Sequence, residues 1–495
     1  MSGIRVNYSG LISFGTGLIN LCTGLIFIII VTRLLSQQDY GLWGLISSLF
    51  VYGTIVSSFI NFWTIRDIAR GKNIGKTSIV SSGLFSTVGL SIYFVIALFV
   101  APQSSTEINM FIIAGIFIPI NFLNKAISSI NTAWNPQITS YGTMIYGVVS
   151  IPLALFFIYF LNWSVIGIII SISMAQSINI IFQVIYARKK IKDKINFGVL
   201  KRWIKISAIP IYPRISFLLH TSDVVIFAVI TGSVIGVSYY TAAIIIANLV
   251  GYASGISNSI YPKLLSGDKG KVISSNLTLL SYFVIPMLFL TITFAKPGLF
   301  LLNPIYEIAI FVVVVSAFRM LFFHLNNIFE SFLIGVEDVD KESKLTFKTY
   351  IKSRLFLIPT LRLIQYAIYI VVLAIVLILT NNSSEDIELV IYWSIIAMAF
   401  QIPLTLYLFY SVKQTFQLKF NINSIIKYLI ASSISFSFIY FLMEEFLVYT
   451  ETVLEFIPQI FIFVLLSLST YLLITFFIDK PTKDLIINII SEVKR

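Results

Sequence analysis

The stretch Ile209–Ile230, IPIYPRISFLLHTSDVVIFAVI, is almost entirely apolar, yet it contains Arg214, His220 and Asp223. A helix of this length crosses the hydrocarbon core of a bilayer, which is about 30 Å thick. An ionisable side chain at the centre of that core costs on the order of 3 kcal/mol by insertion scales. We therefore predict a membrane-spanning helix here and expect the three ionisable side chains to face a cavity or a partner.

The rest of the chain has the same character. Of its 495 residues, 58% are hydrophobic and only 11% are charged, whereas soluble proteins carry about 25% charged residues. The sequence predicts an all-α polytopic membrane protein with about fourteen spans of about 20 residues each. The single cysteine, Cys22, excludes an intrachain disulfide and a cysteine metal cluster. The predicted spans are 10–32, 40–65, 78–100, 108–134, 139–161, 163–187, 206–231, 236–260, 273–295, 304–335, 355–380, 387–411, 425–443 and 453–478.

The basic residues indicate the orientation. If the N-terminus is cytoplasmic and the spans alternate, nearly all of the 34 Lys and Arg residues fall on the cytoplasmic side. Cytoplasmic loops of membrane proteins are enriched in these residues. The pattern predicts a plasma-membrane protein with both termini in the cytoplasm, and it explains the net charge of +12 without nucleic acid. The exceptions are Arg33, Lys125, Arg214, Lys296, Arg319 and Arg362.

Two segments recur at an offset of about 200 residues. VTRLLSQQDYGLWGL from Val31 aligns with ITGSVIGVSYYTAAI from Ile230, and EINMFIIAGIF from Glu107 aligns with EIAIFVVVVSA from Glu307. Parallel repeats of this kind are typical of alternating-access transporters, whose site lies between the halves. We predict an N-lobe at 1–187, a cytoplasmic basic linker at 188–205 and a C-lobe at 206–411. Two extra helices and a cytoplasmic tail follow at 412–495.

The same segments carry a family resemblance. The motif TRLLSQQDYGLWGLISSL at 32–49 resembles the first outer loop of polysaccharide flippases. The start of the second half, with its early prolines, mid-span Asp223 and closing Tyr261-Pro262, is similar to the same proteins. The resemblance is to the multidrug/oligosaccharidyl-lipid/polysaccharide exporter superfamily, in its O-antigen flippase-like branch. It implies fourteen spans in two lobes around a central cavity, and transport of a polyprenyl- or dolichyl-linked oligosaccharide.

Three functions are weighed. The first is an alternating-access flippase that moves a lipid (di)phosphate-linked oligosaccharide from the cytoplasmic to the outer leaflet. The second is a cation-coupled multidrug exporter of the same superfamily. The third is a membrane-embedded sugar polymerase or ligase, which the short outer loops disfavour. Intramembrane cations suit a diphosphate better than an organic cation, so the flippase is preferred.

The candidate site residues follow from charge and depth. Arg214 and Arg319 are candidates for binding phosphate because a guanidinium presents a planar fork to its oxygens. Asp223 and His220 share a helix face and are assigned to ion coupling or to a charge pair. Lys125 is expected to extend to the headgroups. Further substrate-binding candidates are Arg33, Arg66 and Asn61.

No enzyme motif is found in the sequence. It has no Gly-rich phosphate loop with Lys and Ser/Thr and no two-histidine metal motif. We therefore expect a non-enzymatic transporter without cofactor or metal, acting as a monomer. Its expected partners are the lipid-linked oligosaccharide and membrane lipids. Coupling to H⁺ or Na⁺ is left open.

Overall fold

The structure, a computed structural model, describes residues 6–259, 269–334, 351, 353–418, 421–479 and 482–483. Two basic stretches expected in cytoplasmic loops, 263–271 and 341–354, lie largely outside the described residues, as does the tail from 480 except 482 and 483. The described chain is almost wholly helical. This agrees with the prediction, because a chain in hydrocarbon must satisfy its backbone hydrogen bonds within each segment.

Among the described residues, twelve helices are long and apolar enough to cross a membrane, or thirteen when one bent pair counts as a single span. That pair is the predicted second span, which is broken into two helices with a bend of 57° between them. The predicted first span, 10–32, lies within a single helix of 29 residues, Val6–Leu34. The other predicted spans coincide with helices to within a few residues, apart from a 3₁₀ segment at the end of the eighth.

The first compact unit contains residues 1–238 and 370–386. In it, α10 packs on α2, α3 and α4, while α6, α7 and α8 pack together and α7 also contacts α1. The last turns of the α7 span, Leu155–Phe160, are π-helical. The helices are α1 (Val6–Leu34), α2 (Gln37–Thr54), α3 (Ser57–Ala69), α4 (Gly75–Gln103), α5 (Ile108–Ala114), α6 (Phe117–Trp134), α7 (Pro136–Ala154), α8 (Ser164–Ile191), α9 (Phe197–Lys205) and α10 (Ala208–Thr231).

A glycine permits the closest backbone approach in this unit. A Cβ on Gly41 of α2 would lie 1.8 Å from the carbonyl oxygen of Val234, which follows α10. Only a residue without a side chain allows such an approach. Gly41 belongs to the Asp-Tyr-Gly motif at 39–41, so the motif has a packing role: it lets the start of α2 contact the segment after α10.

The second compact unit contains residues 239–369 and 387–495. Its aromatic-rich core joins α17 and α18 to α12 and α13 around Phe294, Phe436 and Phe456. Two 3₁₀ segments, Asn248–Ser259 and Pro304–Ala309, precede α12 and α14. The predicted lobe boundaries stay a prediction. The helices are α11 (Ile235–Ala247), which begins just before the unit boundary, α12 (Lys269–Thr293), α13 (Ala295–Leu302), α14 (Ile310–Ile334), α15 (Arg354–Thr380), α16 (Asp386–Phe416), α17 (Ile422–Phe446) and α18 (Val453–Ile478).

Candidate substrate site

Arg214 lies on α10 directly after Pro213, and the helix continues through the proline. Its side chain is exposed. Among the residues that the structure describes, no carboxylate lies within ion-pair distance of Arg214. Arg214 and Asp223 therefore do not form an ion pair. They are nine residues apart, which places them on opposite sides of α10.

The charged neighbour of Arg214 is another cation. Lys125 of α6 is close enough for the two positive charges to repel each other. Its Nζ lies 3.4 Å from the hydroxyl oxygen of Ser57, and its side chain is half-buried. Lys125 thus contacts the break between α2 and α3, and its expected extension to the headgroups stays a prediction. We call Lys125, Arg214 and Ser57 the cation cluster.

The break places the C-terminal end of α2 and the N-terminal end of α3, which carry partial charges of opposite sign, beside the cation cluster. Ser57 is the first residue of α3, and its hydroxyl donates to the carbonyl of Thr54 at 2.7 Å, which leaves its lone pairs to accept from Lys125. No side chain caps this end of α3. A helix N-terminus carries about half a positive charge. Interrupted membrane helices use such ends to bind anionic groups.

Asp223 occupies a separate environment on the same helix. Its side chain is buried, and its Oδ1 accepts from the backbone N–H of Val224 at 2.9 Å. The Tyr52 hydroxyl of α2 lies near Ser222 and near the negative charge of Asp223. His220 stacks on Phe217 with an angle of 8° between the rings. Asp223 and His220 therefore contribute to packing interactions of α10.

Arg319 has a different setting in the second unit. It is 1% exposed and donates a hydrogen bond to the Tyr240 hydroxyl. The Tyr240 ring stacks on Trp393 at 3.6 Å, and the Trp393 Nε1–H donates to the Tyr369 hydroxyl at 2.9 Å. We call these four residues the aromatic cage. The Arg319 guanidinium is thus buried and bonded to Tyr240, which in turn packs on the other aromatic residues of the cage.

Comparison with solved structures identifies the fold. The chain is similar to the inward-facing conformation of a multidrug resistance MATE family transporter of the MOP superfamily, with a TM-score of 0.58 and 12% identity over 82% of this chain and 98% of that one. It is also similar to the Vibrio cholerae MATE transporter VcmN in the bent form, with a TM-score of 0.53 and 12% identity over 83% and 96%.

The chain has the MOP-superfamily fold. No protein-family model and no curated protein matches the sequence.

The remaining predicted site residues are dispersed within this MOP fold. Arg33 is half-buried in the last turn of α1, where a cation also complements the helix dipole. Arg66 is exposed, and its guanidinium carbon lies 4.1 Å above the Phe62 ring. The amide oxygen of Asn61 is buried without a hydrogen-bond partner among the described residues.

Sequence reasoning missed a network of neutral amides in the first unit of the MOP fold. Asn179 of α8 donates to Asn124 of α6 at 3.1 Å and accepts from Gln183 at 2.7 Å. Gln183 in turn accepts from Ser128 at 3.1 Å. The i,i+4 spacing of Asn179 and Gln183 within an apolar span was the signal that would have found it.

The second unit has a comparable network that includes an ion pair. Gln401 of α16 accepts from both Asn326 and Gln365 at 3.2 Å. Nearby along the same helices, Arg362 of α15 pairs with Glu330 of α14 at 2.7 Å. Interhelical hydrogen bonds of this kind hold membrane helices together, so both networks fix the packing of their units.

A small cavity of about 220 Å³ lies between α1 and α7 in the first unit. Gly147 permits this packing, because a Cβ there would lie 2.4 Å from the Thr23 hydroxyl oxygen. Most of its surface is apolar, and the hydroxyls of Thr23, Thr143 and Ser150 donate to backbone carbonyls of their own helices. Its polar lining residues are Asn20, Thr23, Thr143, Tyr146 and Ser150.

Proposed function

We propose that the protein is an alternating-access flippase for a lipid-linked oligosaccharide, which it moves from the cytoplasmic to the outer leaflet. The observation that carries this proposal is the cation cluster: Lys125 and Arg214 lie near each other without an ion-pairing carboxylate among the described residues. Like charges repel each other unless an anion lies between them. A lipid diphosphate is a suitable anion, because its charge is concentrated and its oxygens match both cations.

The proposed binding mode uses the two cations differently. Arg214 presents the planar fork that grips two phosphate oxygens, while Lys125 adds a compact point charge. The start of α3 contributes the positive end of its dipole. The sugar hydroxyls require neutral donors and acceptors, for which Asn61 and the cavity between α1 and α7 are candidates. We propose that the protein lies in the plasma membrane with both termini in the cytoplasm. We also propose that it acts as a monomer and has no enzymatic activity. Coupling of transport to H⁺ or Na⁺ is an additional hypothesis.

A multidrug exporter is the second candidate, because the solved structures with the same fold are described as multidrug resistance or MATE transporters. An organic cation, however, is repelled by the cation cluster, and binding it there leaves two charges uncompensated. The cation cluster therefore favours an anionic cargo. Asp223 is the acid on α10 that a cationic drug could use, and it is 2% exposed.

Ligand-induced thermal stabilisation of the purified protein tests the proposal. The anionic probe is farnesyl diphosphate, its neutral control is farnesol, and the cationic probe is tetraphenylphosphonium. A ligand that binds only the folded state raises the unfolding temperature. We expect stabilisation by farnesyl diphosphate that is lost in Arg214→Ala and Lys125→Ala and kept in Arg188→Ala, an exposed cation at the end of α8. Stabilisation by tetraphenylphosphonium alone would replace the flippase with the exporter.

Glycan export in cells that depend on this protein provides the second test. We expect Arg214→Ala to abolish export at near-normal abundance, since the exposed arginine makes no ion pair with a described residue. Arg214→Lys should retain part of the export, because it keeps the charge but loses the fork. Full export by Arg214→Ala would remove Arg214 from the substrate site.

A further inference from the structure

The predicted cytoplasmic linker contains a helix that is held at both ends. At its start, the backbone N–H of Asn196 donates to the hydroxyl of buried Thr77 at 2.9 Å, and the Asn196 side chain accepts from Val199 N–H at 3.1 Å. Near its end, the Trp203 Nε1–H donates to Asp67 at 3.0 Å. These contacts fix α9 against α3 and α4, so the helix cannot rotate about its axis.

Asp67 is the anchor of this arrangement. Its carboxylate is buried and also pairs with Arg202 and with Lys72, the latter at 2.9 Å. Trp203 is fully buried in an apolar cluster with Phe59 and Ile127. A buried carboxylate with several charged and neutral donors holds its partners in one geometry. The face of α9 that carries Trp203 is therefore the inner face.

The opposite face of α9 combines apolar anchors with lysines. Phe197 is 68% exposed and Ile204 is 48% exposed. Lys201 and Lys205 are exposed too. Positions 197, 201, 204 and 205 share one side of a helix, since they are separated by four, seven and eight residues. Two large hydrophobic side chains would thus be in water if only solvent covered this face.

The position of α9 in the chain brings this face to a membrane surface. The helix lies between two candidate spans, Ser164–Ile191 and Pro210–Thr231. Helices that lie in the interface bury aromatic and aliphatic side chains at the boundary of headgroups and acyl chains, with Lys and Arg beside them. Lysine stems reach along apolar surface while the ammonium group meets the phosphates.

We propose that the exposed face of α9 is a binding surface for anionic phospholipids. Phe197 and Ile204 enter the headgroup boundary, and the ammonium groups of Lys201 and Lys205 bind lipid phosphates. Charge complementarity selects this occupant, because both charged residues of the face are cationic. The surface does not depend on what the protein transports.

Spin labels on the full chain in lipid nanodiscs test whether Phe197 and Ile204 enter the membrane. A Cys22→Ser background removes the single cysteine. Labels are placed at Phe197→Cys and Ile204→Cys, with Lys194→Cys, an exposed residue before the helix, as the control. The ratio of oxygen to nickel-chelate accessibility should be several-fold higher at 197 and 204 than at 194. Equal ratios would place the face in water or against a soluble partner and would overturn the proposal.

Retention of lipids during purification tests whether Lys201 and Lys205 bind anionic phospholipids. The protein is purified from nanodiscs that contain equal phosphatidylglycerol and phosphatidylcholine, and the retained lipids are quantified. We expect the double variant Lys201→Gln/Lys205→Gln to lose the preference for phosphatidylglycerol. The charge-matched Lys192→Gln/Lys194→Gln should keep it. An equal loss in both, or no preference in the unaltered protein, would refute specific binding by this face.

Discussion

Arg214 in the first unit and Arg319 in the second are both arginines inside apolar spans, yet their surroundings differ. Arg319 is 1% exposed and donates to Tyr240 within the aromatic cage. Arg214 is exposed and lies beside Lys125. A buried cation that donates to a protein hydroxyl has a structural partner within the fold, whereas two neighbouring cations repel each other until an anion lies between them. Depth in a span therefore indicates an unusual residue but does not distinguish scaffold from binding site.

The largest expected effect on stability tests the scaffold role of the aromatic cage. Arg319→Ala leaves a cavity and removes the hydrogen bond to the Tyr240 hydroxyl, which together should cost about 3 kcal/mol. Thermal unfolding of the detergent-purified protein and its abundance in the membrane measure this loss. Arg214→Ala serves as the matched arginine substitution and should change the free energy of unfolding by less than about 0.5 kcal/mol. Equal losses of stability in the two variants would contradict the different roles assigned to Arg319 and Arg214.

Gly41→Ala tests whether the position of α10 matters independently of its charges. The added Cβ would lie 1.8 Å from the Val234 carbonyl oxygen, so the backbone must shift. Overpacking of this kind costs about 1–3 kcal/mol. We expect lower thermal stability together with lower export, whereas Arg214→Ala lowers export alone. In Gly83→Ala, where nothing lies within 4 Å of the new Cβ, stability should be unchanged or slightly higher.

Asp479 provides a second enclosed charge in the second unit, outside the spans. Burial by itself raises the pKa of Asp479, but hydrogen bonds from Thr482, Ser424 and Tyr428 outweigh it, so the pKa lies below its usual value. Lys427 adds an ion pair at 3.4 Å. A depressed pKa stabilises the fold fully above the unfolded-state pKa, and this stabilisation is lost as the pH falls through the folded-state pKa.

Asp479→Asn should therefore lower stability by about 1–2 kcal/mol near neutral pH. The difference from the unaltered protein should be constant above about pH 5 and should shrink below about pH 4. Thermal unfolding from pH 3 to pH 7 measures this difference. A difference that does not change with pH would show that the carboxylate charge contributes nothing.

The smallest expected effect concerns the coupling between Arg214 and Asp223. Because the structure does not pair them, the stability changes of Arg214→Ala and Asp223→Ala should add to within about 0.5 kcal/mol in the double variant. A double-mutant cycle of thermal unfolding measures the coupling energy. Recovery of stability in the double variant would show a direct charge pair and would assign Arg214 to the scaffold.

Much of the architecture was predictable because the thickness of the bilayer sets the length of each apolar segment that crosses it. The helices α4, α15 and α18, and α7 together with the π-helical segment Leu155–Phe160, coincide with predicted spans to within a few residues. The break between α2 and α3 was not predicted, because its residues, Ile55, Val56 and Ser57, include no proline or glycine. The helix α9 was also missed, since a basic linker of mixed composition gives only a short amphipathic pattern.

The sequence by itself determined the class of the protein, its span positions and the unusual charges within the spans, since the cost of placing polar groups in hydrocarbon acts on each segment alone. Only the tertiary structure decided what each charge does. Lys125 and Arg214 come together because α3 packs on both α6 and α10, and Arg319 is enclosed because Tyr240 and Trp393 stack beside it. These outcomes depend on contacts between helices distant in sequence, which the periodicity of a single helix does not encode.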